Sequence, residues 1–436
     1  MDLTYVVYAI PMLAIWAWYI GRRGAKERAS QAAKDEAQSA GLVEPVSLHP
    51  LIDESTCIGC GACVRACPEQ PEHQVLGLIN GKANLLNASD CIGHGACRLA
   101  CPVGAISLVF GTERRGIDIP TLSPEFESSV PGIYIAGELG GMGLIRNAVE
   151  QGRKAVDAIA ARPAPTQDAS FLDLLIVGAG PAGFSASLTA LSKRMHFATL
   201  EQDSLGGCVF QYPRGKVVMT QPAELALVGK VKFRNTSKEE LLEFWKEAER
   251  ISGVQINYKH KVEGIEEIAG GFLVHSSHGD FRTRTVLLAI GRRGSPRKLG
   301  VDGEQLPKVV YRLVDAEQYQ GKKVLVVGGG DSALEAAASI AEVAGTEVTL
   351  SYRGDAFQRA KSRNRERVEA AILTGRLRTL LRSNVKLIDA DSVTVDCDGA
   401  RERFANDAVI VSAGGVLPTA LLEKLGIAVE TKHGTA

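Results

Sequence analysis

The 436-residue chain carries no net charge, with Lys+Arg and Asp+Glu at 50 each, so no global field recruits nucleic acid. The basic run from Lys361 to Arg382 reads as a solvated helix face, and no nucleic-acid partner is expected. Cysteine is nearly missing outside one stretch: of nine, only Cys208 and Cys397 lie beyond residues 57–101. That excludes a disulfide framework spread through the chain and points to cluster or metal ligands in a reducing setting. Positive charge is missing ahead of the first apolar run, whereas a cleaved signal peptide carries its charges there. A composition 45% hydrophobic and 23% charged is that of a folded protein, and the length suits two or three domains.

The apolar run itself is the first positive feature. From Leu3 to Ile20 there are 18 uncharged positions, close to the ~20 that a helix needs to cross a bilayer. Asp2 alone precedes them, and Arg22, Arg23, Lys26 and Arg28 follow at once. Residues 1–20 are therefore expected to be one transmembrane helix, kinked at Pro11, in a single-pass protein of the cytoplasmic membrane whose soluble domains face the cytoplasm. The competing reading is a helix packed on the protein or on a partner. Residues 21–50, rich in Ala, Lys, Glu and Gln, show no apolar stripe and read as a linker, helical in part.

Between residues 51 and 110 the chain is dense in Cys and Gly. CIGCGACVRACP gives Cys57, Cys60, Cys63 and Cys67 followed by Pro68, the C-x2-C-x2-C-x3-C-P run of bacterial-type ferredoxins. Short loops let three thiolates wrap one cubane, and the fourth crosses to the other cluster. The second run, CIGHGACRLACP, has Cys91, Cys97 and Cys101 but departs from the pattern at His94. The ferredoxin resemblance assigns Cys57, Cys60, Cys63 and Cys101 to one [4Fe-4S] cluster and Cys67, Cys91 and Cys97 to the second. His94 is then the fourth ligand, or stands unbound beside a [3Fe-4S] cluster, or donates a hydrogen bond near the sulfurs. A pair of zinc sites is the competing reading, disfavoured because zinc sites close with pairs of C-x2-C.

Two β-Gly-rich-α units follow, FLDLLIVGAGPAGFSASLTA at 171–190 and GKKVLVVGGGDSALEAAASI at 321–340. In the first, Gly178 permits a tight turn, Gly180 lets backbone approach a pyrophosphate and Gly183 allows close helix–strand packing. Glu201 ends the next strand, placed for a ribose hydroxyl. In the second, Gly328, Gly330 and Ala333 repeat the pattern. The strand after it, EVTLSYRGDAFQR, ends in polar and basic residues, not an acid, which favours NADPH over NADH with Arg353 and Arg359 on a 2'-phosphate.

GAGPAG, Gly206-Gly207, AIGRRG (289–294), GGGDSA (328–333) and VSAGGVLPT (411–419) stand in the order of the thioredoxin-reductase-like flavoproteins of the pyridine nucleotide-disulfide oxidoreductase superfamily, which the chain resembles. VPGIYIAGELGG (130–141) is similar to that family's flavin-contacting segment, with Gly137 and Glu138 at the contact where Asp is usual. It is displaced, preceding the first fingerprint instead of following the last motif. The order is that of a circular permutation fused to a 2[4Fe-4S] ferredoxin domain. The resemblance implies a Rossmann-like α/β two-domain flavoprotein with an N-terminal α+β ferredoxin-like domain. Its parts are 51–110 (ferredoxin), 111–162 (displaced flavin contact), 171–294 (FAD), 295–415 (NAD(P)) and 416–436 (return to the FAD domain).

The family's usual paired arginines are here Arg353 and Gly354. No C-x-x-C dithiol precedes the second fingerprint, so the chain is more similar to ferredoxin:NADP reductases of the thioredoxin-reductase type. The implied activity is an NAD(P)H-linked, FAD-dependent relay to or from two clusters and a membrane-near one-electron carrier: a quinone, a cytochrome or a ferredoxin. No acid-base residue is required, and a homodimer is compatible with the reading. A thiol-disulfide reductase using Cys208 and an iron-sulfur redox sensor are the alternatives.

Overall fold

The computed structural model of the chain describes residues 3–40, 42, 44–45, 48–70, 73–113, 116–141, 143–162, 170–219, 222–231, 235–358 and 360–434. It divides into two compact units. The first holds residues 1–115 with 356–366 and 433–436, the second residues 116–355 with 367–432.

In the first unit, helix α1 (Leu3–Ser39) exposes the aromatic and aliphatic side chains of Tyr8 to Ile20. Among the described residues no helix is long and apolar enough to cross a membrane. The side chains of residues 3–7, which the sequence counts toward the apolar run, lie outside the described ones. From Tyr8 onward the run meets Arg22 before it reaches ~20 residues. The spanning anchor expected for residues 1–20 therefore gains no support from the helix as described.

The segment read as a tether also differs from expectation. Helix α1 continues unbroken to Ser39, and Glu27, Ser30, Ala33, Lys34 and Ala37 face inward at helical spacing. Its partner is a hairpin. Strand β1 (His49–Ile52) and helix α2 (Ala62–Ala66) precede β2 (Leu76–Ile79) and β3 (Lys82–Leu85), which are antiparallel and joined at Asn80 and Gly81, both with positive φ as a two-residue turn demands. Lys34 Nζ donates to Asn84 Oδ1 at 2.9 Å, the Gly81 amide donates to Glu27 Oε1 at 3.3 Å, and a Cβ on Gly77 would come within 2.5 Å of Ser30 Oγ. The helix approaches closely because Ser30, Ala33 and Ala37 on its inner face are small, side chains that a search for large apolar residues passes over. Helix α3 (Ala96–Leu99) and strand β4 (Ile106–Val109) complete the unit, β4 pairing antiparallel with β1.

Residues 356–366 join this unit through Asp90, which is 1% exposed. Its carboxylate accepts from the Ser362 amide at 2.9 Å and from the Ser362 hydroxyl, so it caps the helix Ser362–Leu373 from a distant part of the chain. Arg365 Nη1 donates to the buried Ser89 hydroxyl beside it at 3.4 Å.

In the second unit, strand β5 (Ile117–Pro120) is followed by β6 (Ile133–Ile135), α4 (Ile145–Ala160), β7 (Leu174–Val177), α5 (Pro181–Ser192), β8 (Phe197–Glu201), β9 (Asn257–Tyr258) and β10 (Val286–Leu288). A five-stranded, all-parallel sheet runs β9-β8-β7-β10-β6. Such a sheet is buried on both faces, which explains why its central strands β7 and β10 are apolar at every position. Strand β6 precedes β7 in sequence yet lies beyond β10, paired parallel with it. Helices α4 and α5 cross at a glycine: a Cβ on Gly152 would stand 2.0 Å from the Ala182 carbonyl oxygen.

The second sheet runs through β11 (Val309–Val310), β12 (Lys323–Val327), β13 (Glu347–Ser351), β14 (Leu377–Leu380) and β15 (Ala408–Val411), in spatial order β11-β15-β12-β13-β14 and again all parallel. Helix α6 (Asp331–Ala341) follows β12. The chain passes between the two sheets twice, at Ser295–Pro296 and Gly415–Val416, which pair antiparallel. The last strand, β16 (Val429–Lys432), pairs antiparallel with β5 so that Lys432 lies opposite Ile117.

The helix crossing yields a direct test. Gly152→Val forces a side chain into the Ala182 carbonyl and is expected to destabilise the second unit by at least about 1–3 kcal/mol, read as a lower urea midpoint with an unchanged slope.

Candidate active site

The carboxyl ends of neighbouring parallel strands form one crevice, the place where open α/β sheets bind ligands. At the end of β7, Gly178 has φ +101°, and a Cβ there would lie 2.6 Å from the Ala289 carbonyl oxygen. A Cβ on Gly183 would lie 1.8 Å from the Gly178 carbonyl oxygen, so the helix starts against the turn. Gly180 caps α5 without a side-chain bond, leaving first-turn amides for an anion. Gly206 and Gly207 close the turn from the other side: the Gly206 amide donates to the Ala179 carbonyl at 3.0 Å, and a Cβ on Gly207 would stand 3.0 Å from Gly180 Cα. This cradle fits a pyrophosphate because no side chain fills it.

Glu201, at the end of β8 and 5% exposed, accepts from the Ala179 amide at 2.7 Å and the Asp203 amide at 2.8 Å. Burial pushes its carboxyl pKa up, and those amides pull it back. At the end of β6, Gly137 (φ +87°) donates its amide to the buried Gln151 Oε1 at 2.8 Å, and Glu138 follows. Solvent reaches Glu138, yet the surrounding wall pushes its carboxyl up, opposed by Arg293 and Arg292. Cys208 lies across the same crevice, with a Cβ on Gly291 3.9 Å from its sulfur. Burial pushes its thiol up, Arg293 lowers it and Glu138 and Glu201 raise it further, so the thiolate needed for disulfide chemistry is disfavoured.

In the second fingerprint a Cβ on Gly328 would be 2.3 Å from the Ser412 carbonyl oxygen, and Ala333, fully buried, packs at 3.0 Å from that same point. Around Gly330 there is open space. Strand β13 ends on the buried Ser351, and Arg353 is exposed two residues later. The ring of Tyr352 occupies the turn: a Cβ on Gly329 would lie 2.3 Å from it and one on Gly354 2.6 Å. Glycine stands where the family has a second arginine because the aromatic ring already fills that space. Arg359, the other phosphate candidate, lies outside the described residues.

In the first unit, Cys57, Cys60, Cys63 and Cys101 line one pocket with Gly61, Ala83, Ala105 and Ile106, small or apolar residues that leave room for a cluster. Cys60 is exposed, and Cys57 and Cys63 are buried. Among the described residues no three ligating side chains converge on a single ion. Cys67, Cys91 and Cys97 lie in the same apolar core. Burial, then neighbouring sulfurs, push the thiols of Cys91 and Cys97 up to about 11. Thiolates gathered at such a place need a cationic centre, which suits iron. His94 Nε2 stands 4.0 Å from Cys67 Sγ.

Sequence reasoning missed four residues of these sites: Gln151, Tyr352, Arg292 and Arg293. Gln151 was detectable as the polar residue on the buried face of α4. The others were hidden because their roles come from neighbours distant in sequence. Arg292 donates to the Asp118 carbonyl at 2.9 Å, and Arg293 donates to the Ser332 hydroxyl at 3.5 Å.

The profile described as pyridine nucleotide-disulphide oxidoreductase matches residues 175–435, and that described as 4Fe-4S dicluster domain matches residues 49–102. The first begins after β6, which the structure nevertheless sets into the same sheet as β7. A ferredoxin--NADP reductase of Ignicoccus hospitalis is 32% identical over 204 residues, 46% of this chain and 62% of that protein. The match thus spans under two thirds of that relative. One of Acholeplasma laidlawii is 29% identical, covering 59% of this chain and 78% of its own. The bacillithiol disulfide reductase of Staphylococcus aureus superposes with a TM-score of 0.53 at 24% identity, over 59% of this chain and 81% of that one, which is a likeness of fold.

Glu201→Gln turns an amide donor toward a buried backbone N–H, a cost of about 1–3 kcal/mol. The purified variant is expected to retain flavin roughly tenfold or more weakly, measured as flavin absorbance per chain after dialysis.

Proposed function

Because this chain belongs to the pyridine nucleotide-disulphide oxidoreductase family and carries a 4Fe-4S dicluster domain, we propose that it is an NAD(P)H-linked flavoprotein oxidoreductase that relays electrons between NADPH, FAD and two iron-sulfur clusters. The observation that carries the reading is the thiol-lined pocket of Cys57, Cys60, Cys63 and Cys101 on the same chain as two glycine-turn sheets. Bound FAD would supply the conversion between a two-electron hydride donor and one-electron carriers. The chain's own residues bind and orient. Glu201 and the cradle of Gly178, Gly180, Gly206 and Gly207 are assigned to the adenosine and pyrophosphate of FAD, and Gly137 and Glu138 to its ribityl side. Gly328, Gly330 and Ala333 are assigned to the nicotinamide nucleotide. The absence of an acid at Ser351 and the exposed Arg353 support NADPH over NADH.

The far end of the relay is a one-electron acceptor or donor near a membrane, a quinone, a cytochrome or a ferredoxin. The exposed apolar stretch of α1 followed by Arg22 and Arg23 supports anchoring on the cytoplasmic face, and two relatives named ferredoxin--NADP reductase support the carrier class. Electron flow in either direction is allowed, because cluster potentials span more than ~1 V. A disulfide reductase is the second reading, supported by a Bacillus subtilis relative named bacilliredoxin reductase. The raised pKa of the Cys208 thiol weighs against it.

Anaerobic stopped-flow mixing with NADPH is expected to bleach the flavin first and then give reduced-cluster electron paramagnetic resonance. Flavin bleaching with both clusters left oxidised would sink the internal relay. Cys208→Ser is expected to keep acceptor reduction within about twofold, and loss of a thiol-dependent activity in that variant would favour the disulfide reading. Arg353→Ala is expected to raise KM for NADPH by roughly tenfold, the value of one charge-assisted contact, with KM for NADH little changed.

A further inference from the structure

Lys82 opens strand β3, inside the first unit, and reaches into the loop of the first cysteine run. Its Nζ donates to the Cys57 carbonyl at 2.7 Å from a half-buried position. The hairpin that carries it is locked against that loop. A Cβ on Gly59 would lie 1.9 Å from the Gly81 carbonyl oxygen, and Ala83, the next residue after Lys82, lines the pocket of Cys57, Cys60, Cys63 and Cys101. From its other side the hairpin is held by α1, through Glu27 on the Gly81 amide and Lys34 on Asn84. A neutral donor would brace the Cys57 carbonyl as well. The ammonium adds a full positive charge at the wall of the pocket, and among the described residues no carboxylate pairs with it. Arg65 Nη1 also donates to a loop carbonyl, that of Cys60 at 3.2 Å, but from an exposed position where water and salt screen it.

Resting on the dicluster reading above and on nothing about NADPH turnover, we propose that Lys82 tunes the first cluster. Its ammonium, held beside Cys57 by the hairpin that α1 braces, raises the reduction potential of the cluster bound by Cys57, Cys60, Cys63 and Cys101. A cluster that accepts one electron becomes more negative by one charge, so a fixed cation at its wall stabilises the reduced form. The effect is electrostatic and weakens with solvent screening, which is why half-buried Lys82 outweighs exposed Arg65. Lys82 is thereby a positioning and tuning residue that touches neither iron nor substrate. The later half of α1 belongs to the cluster site, because it sets the hairpin that sets Lys82.

The test uses the full chain, purified anaerobically, in an equilibrium redox titration followed by electron paramagnetic resonance. Lys82→Gln keeps a donor but removes the charge, and is expected to lower one cluster midpoint potential and leave the other unchanged. The potential that falls is expected to be that of the cluster whose signal Cys60→Ser also alters. Lys82→Arg keeps the charge and is expected to hold the wild-type potential, whereas a residue that only braces the loop would respond alike to Arg and Gln. Arg65→Gln is expected to shift the same potential less than Lys82→Gln does. An unchanged potential in Lys82→Gln, an equal fall in the Arg and Gln variants, or movement of the other cluster's potential would overturn the proposal. If Lys82→Gln fails to assemble, Glu27→Ala reads the same device, since it frees the Gly81 amide and leaves Lys82 and the cysteines in place. It is expected to lower the same potential partway, and no shift there would overturn the proposal as well. A wild-type chain without a reducible cluster would bring down the dicluster reading itself, and this proposal with it.

Discussion

A parallel strand buried on both faces must be hydrogen-bonded along both edges, and β10 has only one edge covered by the chain that leads to it. The other is covered by β6, whose three residues are almost wholly buried. An uncovered edge in this apolar interior would leave backbone groups unpaired at several kcal/mol, so residues 133–135 take that place whatever their position in the chain. From that pairing the rest follows. Gly137 and Glu138 are delivered to the ends of the strands that carry Gly178 and Glu201, and α4 is laid across α5 with Gly152 at the crossing. Strand β16 then lies against β5 as a hairpin without its loop, with Lys432 opposite Ile117.

The crevice holds opposed charges in a confined space. Glu138 and Glu201 are pushed up by burial, and Arg292, itself lowered by burial, and Arg293 act against that at Glu138. Cys208 and Tyr212 share the field of Arg293 and Glu138 and are both held protonated by burial. Two acids, two cations and two neutral groups form a polar wall whose net charge is small, suited to a large cofactor that brings its own charged pyrophosphate to the glycine turn and not to the wall. The same balance explains why Cys208, adjacent to that turn in sequence, is a poor thiolate.

In the first unit the constraint is the loop ahead of Cys91. Asp90 and Ser89 are nearly fully buried polar residues, and they satisfy themselves on Ser362 and Arg365, more than 250 residues away in sequence. Residues 356–366 thereby belong with the cluster-binding residues although they follow the second sheet's nucleotide turn in sequence. The loop of the second cluster and the segment after β13 are fixed by one carboxylate.

Spacing carried most of the chemistry in the sequence. C-x2-C-x2-C-x3-C-P, G-x-G-x-x-G and an acid one strand later constrain local backbone within a few residues, and those constraints are covalent in range. In the structure Cys57, Cys60, Cys63 and Cys101 line one pocket and Glu201 reaches the glycine turn through the Ala179 amide, while Arg359 lies outside the described residues. What the sequence misread were features set by surroundings. The segment after the apolar run looked like a tether because Ala and Ser carry no hydrophobic signal, yet small side chains are what lets α1 approach Gly77. Gly354 looked like a lost arginine until the Tyr352 ring was seen to fill its place.

By itself, then, the sequence determined which cofactor chemistries the chain is built for, because those depend on short-range spacing of ligands and glycines. Only the tertiary structure decided which nitrogen of His94 faces sulfur, which acid meets which arginine and how a displaced strand re-enters its sheet. Those outcomes depend on hydrogen-bond satisfaction and burial among residues far apart in the chain.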